Sequence, residues 1–463
     1  MEQDLSQGSV IRRVLGFALP LALGMGSHAL FNLCDLWIVG RLGEAEVAGV
    51  HLAGTINFLP MILGNGLSVA GVALISGRWS RGEIPEARRM ADLSFWLLLV
   101  SGLLLGAGAW FLAGPAIDLQ GPVGASRGIG IAYLEVVSLG TFTMFLLMHV
   151  TGVMRAFGNA FWPVALMIGS NVLNLVLDVV LIFGVPGLGI PAMGAVGAAW
   201  ATVLARFAGG VAGLILLSRR SSPIRPSFRL PRLGSGLGRR MLALGGPQSM
   251  QMLLRAFLVV VTTRIAGELG GEGAQAALGI VTRLDTLILF AAVGWAGGAT
   301  AMVGQCRALD RPLRCLRMTA VTTLLASGGA LLLASLFAVF SRPLLLLFVP
   351  SASPALLEVG GLYLGILAFA HPAATASLVL AGAVNGAARS LPPMLLDLLV
   401  LGVLLAGLSV WFLLGAPYGL PFCFAMVLLG QWALLLAYLL WMRRGEWVEG
   451  RFPAKASRRE PAC

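Results

Sequence analysis

Apolar residues in this chain come in long uninterrupted runs separated by short polar stretches. Soluble proteins instead show alternating or one-faced patterns. Runs of spanning length fall at about 14–39, 47–76, 93–117, 129–153, 161–184, 194–217, 241–267, 276–305, 317–345, 356–384, 392–415 and 420–441. Each is near or above the ~20 residues an α-helix needs to cross the hydrocarbon core. The pattern predicts an all-α membrane protein with twelve transmembrane helices.

The polar stretches between the runs alternate in charge. One set carries Arg12 and Arg13, then Arg78, Arg81, Arg88 and Arg89, then Arg155. It continues with Arg219 to Arg240, then Arg307, Arg311 and Arg314, then Arg389, and finally Arg443 and Arg444. The other set is poor in Arg and holds Glu44, Glu46, Asp118, Glu268, Glu272 and Glu358. Loops rich in Arg stay cytoplasmic, so the alternation places both termini in the cytoplasm and predicts a multi-pass protein of a cell inner membrane. No short apolar segment followed by a small-residue cleavage site is found, so the first run is expected to remain as a span.

The two halves repeat. Pro20, Gly43, Thr55, Gly71 and Gly77 match Pro247, Gly270, Thr282, Gly298 and Gly304, each pair 227 residues apart. Further on, Tyr133 and Pro163 match Tyr363 and Pro393 at an offset of 230. Six spans per half start both halves on the same side of the membrane. The repeat is therefore parallel, an arrangement transporters use to build a central cavity. The expected domains are a six-helix lobe over 1–217, a basic linker over 218–240, a second pseudo-symmetric six-helix lobe over 241–441 and a tail over 442–463.

Composition narrows the function classes. Of 463 residues 58% are hydrophobic and only 11% charged, and the mean hydropathy of +0.90 is beyond what a soluble fold can bury. The net charge of +12 resides in loop arginines, a topology signal rather than a nucleic-acid surface. The linker RRSSPIRPSFRLPRLGSGLGRR (219–240) has seven arginines and no acid, with Phe228 its one aromatic. It is expected to face anionic membrane lipids, with no nucleic-acid partner. Five scattered cysteines give neither a disulfide framework nor a metal site.

Against this background the polar residues inside the runs stand out. In PLALGMGSHALFNLCDLWIVG (20–40), His28, Asn32 and Asp35 fall at i, i+4 and i+7 and share one helix face. In the fifth run Asn171, Asn174 and Asp178 do the same. Asp35 lies roughly 8 Å and Asp178 roughly 9 Å below the outer end of its helix at 1.5 Å per residue. Tyr133, Glu135 and Thr202 fall in the same outer half. A carboxylate inside a spanning helix costs ~2.5–3.5 kcal/mol on insertion scales, so it is expected to serve function. Such a cluster can take up a proton, or hold a sodium ion with Asn and Thr oxygens.

Other intramembrane groups are more ambiguous. Arg283 and Asp285 are two residues apart and do not share a face. Arg206 and Arg255 sit near mid-membrane, to pair with Glu135 or Asp285 or to bind a substrate anion. Asp397 lies near the cytoplasmic end of its span, where it is expected to reach water, and His371 lies mid-span as a packed histidine or a proton relay. His51 and His149, near helix ends, are given no role. Met25, Met61, Met144, Met148 and Met167 read as ordinary packing. No Walker A, HExxH or GxSxG pattern occurs. The protein is thus read as no enzyme and no ATP-driven pump, working without cofactor on an ion gradient.

The runs Asp35-LWIVGRLGEAEVAGVHLAG, VTGVMRAFGNAFWPVALMIGSNVLNLVLDVVLIFG (151–184), GAVGAAWATVLAR (194–206) and RLDTLILFAAVGWAGGATAMVGQ (283–305) resemble the multidrug and toxic compound extrusion family. The resemblance covers about 14–441. It implies two six-helix lobes in a V and a monomer that exports organic cations or drugs in exchange for H⁺ or Na⁺. It maps an ion site onto Asp35, Asn174, Asp178 and Thr202, with Tyr133 nearby, and makes Pro20 the kink of the first helix. Relatives with working acids in the seventh and tenth helices differ here, where Arg255 and His371 lie in those helices. Asp285 is left as the strong acid of the second half. A lipid-linked oligosaccharide flippase of the same superfamily is the alternative, kept open by Arg206 and Arg255.

Overall fold

Apolar runs of this length fold as helices because in lipid only intrahelical hydrogen bonds satisfy the backbone. A computed structural model describes residues 8–119, 125–220, 222–227, 229, 236–349, 353–445 and 447. The first half contains α1 (Val10–Val39), α2 (Glu44–Trp79), α3 (Ile84–Phe111), a short α4 (Ala113–Asp118), α5 (Ser126–Leu139), α6 (Thr141–Ala156), α7 (Phe161–Phe183) and α8 (Gly194–Ser218). The second contains α9 (Leu237–Ala308), α10 (Pro312–Val339), a short α11 (Ser341–Phe348), α12 (Pro354–Gly386), α13 (Leu391–Leu413) and α14 (Gly419–Met442). No named strand occurs among the described residues; Val185 and Ile190 form an isolated bridge.

Ten of these helical segments are long and apolar enough to cross a membrane, and α5 with α6, bent by 44° at their junction, makes an eleventh. The twelfth is the first arm of α9. Its backbone is helical from Leu237 to Ala308, 72 residues with Pro247 inside, about 108 Å if straight. The chain cannot be straight, because Met241 approaches Gly71 while Gly304 approaches Ser76. Those α2 residues are only about 7.5 Å apart along the helix. The segment therefore doubles back, and the two runs expected at 241–267 and 276–305 are its two arms.

The repeat recurs in the small elements too. Short helices α4 and α11 each follow the third span of a half. The bend between α5 and α6 falls at Gly140, whereas α12 in the second half is one helix with Pro372 inside it. Of the expected linker, 221, 228 and 230–235 lie outside the described residues, as do 446 and 448–463 of the tail. Within the linker Ile224 is fully buried. Ser227 donates its backbone N–H to Asp92 of α3 at 2.9 Å and its hydroxyl to the other carboxylate oxygen. This stretch is fastened to the first lobe.

The lobes meet over the Arg-rich ends of their helices. There one apolar core draws on both, from Val14, Phe17 and Leu21 of α1 to Met302 of α9 and Val379 of α12. Glycines bring backbones together. A Cβ on Gly294 would lie 2.5 Å from Ala22 Cα, and one on Gly66 would lie 2.4 Å from the Gly245 carbonyl oxygen. Toward the opposite ends each lobe has its own core, around Val39, Leu134 and Ile182 in the first and around Leu401 and Phe424 in the second. Asn32, His51, Thr55 and Arg283 are exposed there.

Candidate functional site

The two polar stripes predicted on α1 and α7 face one another inside the first lobe. His28 Nδ1 lies 2.9 Å from Asn171 Oδ1. One to two turns further along, the Asp35 and Asp178 side chains come within hydrogen-bonding reach of each other. Asn174 Nδ2 donates to Asp178 Oδ1 and to Thr202 Oγ1, both at 3.4 Å, and the Tyr133 hydroxyl reaches Thr202. Helices α1, α5, α7 and α8 thus each supply part of one nest. Asp178 is fully buried and Tyr133 is 7% exposed.

The nest has spare hydrogen-bonding capacity. Asp35 Oδ1, Asp178 Oδ2 and Asn171 Nδ2 are buried without a partner. Buried polar atoms are ordinarily satisfied, so two orphan carboxyl oxygens and an amide describe a place that a proton, an ion or water completes. Arg206 of α8 stands in the electrostatic field of Tyr133 and Asp35 rather than of the expected Glu135. Glu135 lies two residues from Tyr133, on another face of α5. Asn32 sits on the exposed side of its stripe, and Pro20 lies inside α1, fifteen residues before Asp35.

In the second lobe the pairing differs from expectation. Arg255 does not reach Asp285; its Nε and Nη2 donate to Asp397 at 3.1 and 3.3 Å. Asp397, expected to reach water, has a fully buried side chain because α14 covers it. Tyr438 of α14 donates its hydroxyl to Asp397 Oδ1 at 2.8 Å. Asp285 instead meets His371, with 2.5 Å between Oδ1 and Nε2, and both line a small pocket. Arg283 is exposed and stands in the field of His51 on α2. His149, close to a helix end in sequence, is buried and 3.4 Å from the Ser94 hydroxyl.

Tyr438 escaped the sequence reading, although a signal was present. The chain has only four tyrosines. The three buried ones each stand beside a membrane acid: Tyr133 by Asp35 and Asp178, Tyr363 by Asp285, and Tyr438 by Asp397. Arg155 of α6 escaped as well. Its guanidinium fills the seam between lobes, where a Cβ on Gly297 would lie 3.1 Å from Nη1.

The family model MatE matches twice, over residues 20–180 and 247–411. The probable multidrug resistance protein YpnP of Bacillus subtilis is 25% identical over 96% of this chain and 97% of its own. The probable multidrug resistance protein NorM of Thermotoga maritima is 24% identical over 93% of this chain and 89% of its own. An FAD transporter of Shewanella oneidensis is 23% identical over 86% and 87%. Among solved structures, an outward-facing multidrug resistance transporter of the MATE family superposes with a TM-score of 0.87 at 21% identity, covering 96% of this chain and 98% of that one.

Proposed function

This chain belongs to the MatE family, a family of transporters and not of enzymes, and from that premise we propose that it is a proton-coupled multidrug exporter. The single observation that carries the coupling is the contact between Asp35 and Asp178, each with an orphan oxygen, inside the first lobe. Two ionised carboxylates side by side repel, so a proton taken up by either one relieves the pair. Sodium fits less well, because the buried Arg206 cation stands in the same field.

The proton enters from the acidic, periplasmic side, where the lobes have separate cores. Its arrival removes negative charge from the pair and with it the attraction for a bound organic cation. Pro20 leaves α1 without one backbone hydrogen bond, so the helix can bend there as the Asp35 contacts change. The proton leaves once the nest opens to the cytoplasm, and the carboxylate is ready for new cargo. In this reading the protein acts as a monomer in a cell inner membrane, with both termini cytoplasmic and the Arg-rich linker against anionic lipid.

The flippase alternative drew on mid-membrane arginines. Arg255 is paired with Asp397 and Arg206 stands in the field of Asp35, so both of those arginines have an acid beside them. The test is Asp35→Asn in proteoliposomes. Loss of cationic-dye export and of dye-driven proton release, with normal insertion, is expected. Full export by that variant would refute the coupling role.

A further inference from the structure

Sulfur collects at one point near the Arg-rich ends of the helices, away from the buried acids. Cys306 lies in the last turn of α9 and Cys315 in the first turn of α10, with a three-residue connection between the helices. That connection is closed at Cys306 itself, whose carbonyl accepts the Arg311 N–H at 3.1 Å. The two thiols come within hydrogen-bonding reach of each other and form no disulfide. Met318, about one turn further along α10, brings its Sδ to 3.7 Å from Cys306 Sγ. All three side chains are fully buried.

The spacing fits an ion held by three sulfurs. With metal–sulfur bonds of about 2.3 Å, a trigonal ion sets its sulfurs about 4.0 Å apart, close to the Cys306–Met318 separation. Thiolates and a thioether are the ligands that select copper(I) over harder ions. Zinc wants a fourth ligand, and among the described residues no three His, Cys, Asp or Glu side chains are grouped to hold an ion. The set closes only when Met318 is counted, which is why the cysteine spacing alone announces no metal. Countercharge is at hand: Arg314 reaches Cys306 with Arg311 nearby, and Arg307 stands in the field of Cys315. Such neighbours favour thiolates. Buried cysteines often serve as small apolar packing, but packing requires neither converging sulfurs nor arginines around them.

We propose that Cys306, Cys315 and Met318 form a binding site for one soft monovalent cation, copper(I), with silver(I) as its redox-inert mimic. On binding, two S–H bonds break and two metal–thiolate bonds form, the thioether completes the triangle, and two protons leave to water. No electron is transferred, and the arginines offset the one net negative charge of the filled site. The ion enters at the connection, where Asp310 and Arg311 are exposed. All three ligands belong to the apolar core that both lobes share. Gln305, next to Cys306, donates to the Ala156 carbonyl of the first lobe at 3.1 Å. A bound ion therefore stiffens the α9–α10 turn where the lobes are joined. The proposal goes beyond the exporter reading and does not depend on it.

The test titrates the full-length protein, reduced and anaerobic in detergent, with copper(I) held by bicinchoninate, and counts the copper retained after gel filtration. The native chain is expected to retain one copper, with a sulfur shell in X-ray absorption and a raised unfolding temperature. Cys306→Ser and Cys315→Ser should each lose that copper, and Met318→Leu should remove one sulfur from the shell. Cys423→Ser, in the second lobe's own core, should bind as the native chain does, and silver(I) should displace the copper. Cys306→Ala and Cys315→Ala take the place of the serine variants should a buried hydroxyl prevent folding. No copper on the native chain, equal retention by both cysteine variants, or a shell of nitrogen and oxygen overturns the proposal. Binding is read without transport, so failure of the exporter reading is distinguishable from failure here.

Discussion

Replacing Arg255 by Leu removes, among the described residues, the one basic partner of a carboxylate buried between α9, α13 and α14. Asp397 then keeps only the Tyr438 hydroxyl at 2.8 Å and loses two guanidinium hydrogen bonds at 3.1 and 3.3 Å. Hydrogen bonds to a charged group are worth roughly 1.5–3 kcal/mol each, so the loss is about 3–6 kcal/mol. Breaking a buried ion pair from one side costs about 3–5 kcal/mol, in agreement. Either figure is roughly a hundredfold or more in the folded-to-unfolded ratio. The double replacement Arg255→Leu with Asp397→Leu leaves no stranded charge and should recover most of that stability. Thermal unfolding of the purified protein in detergent, followed by size exclusion, reads both. The pair would have no structural role if Arg255→Leu unfolded at the native temperature. It would be part of the transport path if the double variant were stable yet inactive toward cationic dyes.

Other outcomes follow from local geometry. Gly294→Ala drives a Cβ to 2.5 Å from the Ala22 backbone and should abolish correctly folded protein, whereas Gly54→Ala, with nothing within 4 Å, should be silent; both are read by expression and size exclusion. Asp92→Ala removes the acceptor of both Ser227 donors and should speed tryptic cleavage after Arg225 and Arg229 in detergent, while unchanged cleavage would mean the tie is not what holds the segment. The exposed Asp118 carboxyl is held below its usual range by the Arg127 guanidinium, 2.6 Å away. Its small contribution is therefore present above the ordinary carboxylate pKa of ~3.9 and lost as pH falls through the lowered value. A thermal-stability difference between native protein and Arg127→Ala should vanish in strong acid.

The N-lobe nest was legible in the sequence because its determinants are local. His28, Asn32 and Asp35 announce a shared face by spacing alone, and alternating loop charge sets their depth. That α1 and α7 turn these faces toward each other is a tertiary fact, but acids have few other places to point in lipid. Asp397 shows where such reasoning stops. Depth along a helix says nothing about lateral cover, and the residue near the helix end proved fully enclosed by α14. Its partner Arg255 is 142 positions away, beyond any periodic signal. Asp285 and His371 were each visible, but nothing in their spacing joined them. The continuous α9 was unreadable for a different reason: its backbone is helical throughout, from one arm to the other.

The seam between the lobes has a mechanical character of its own. Gly294 and Gly298 lie on Ala22 and Ala18, and Gly66 lies on Gly245, so for several turns backbone faces backbone. Interdigitated leucines must leave one rotamer well and find another before two helices can slip. At those glycine positions there are few side-chain torsions to reset, and the contact there is a smooth bearing surface rather than a set of meshed teeth. Sliding along it meets little friction, while any bulk added to it acts as a brake.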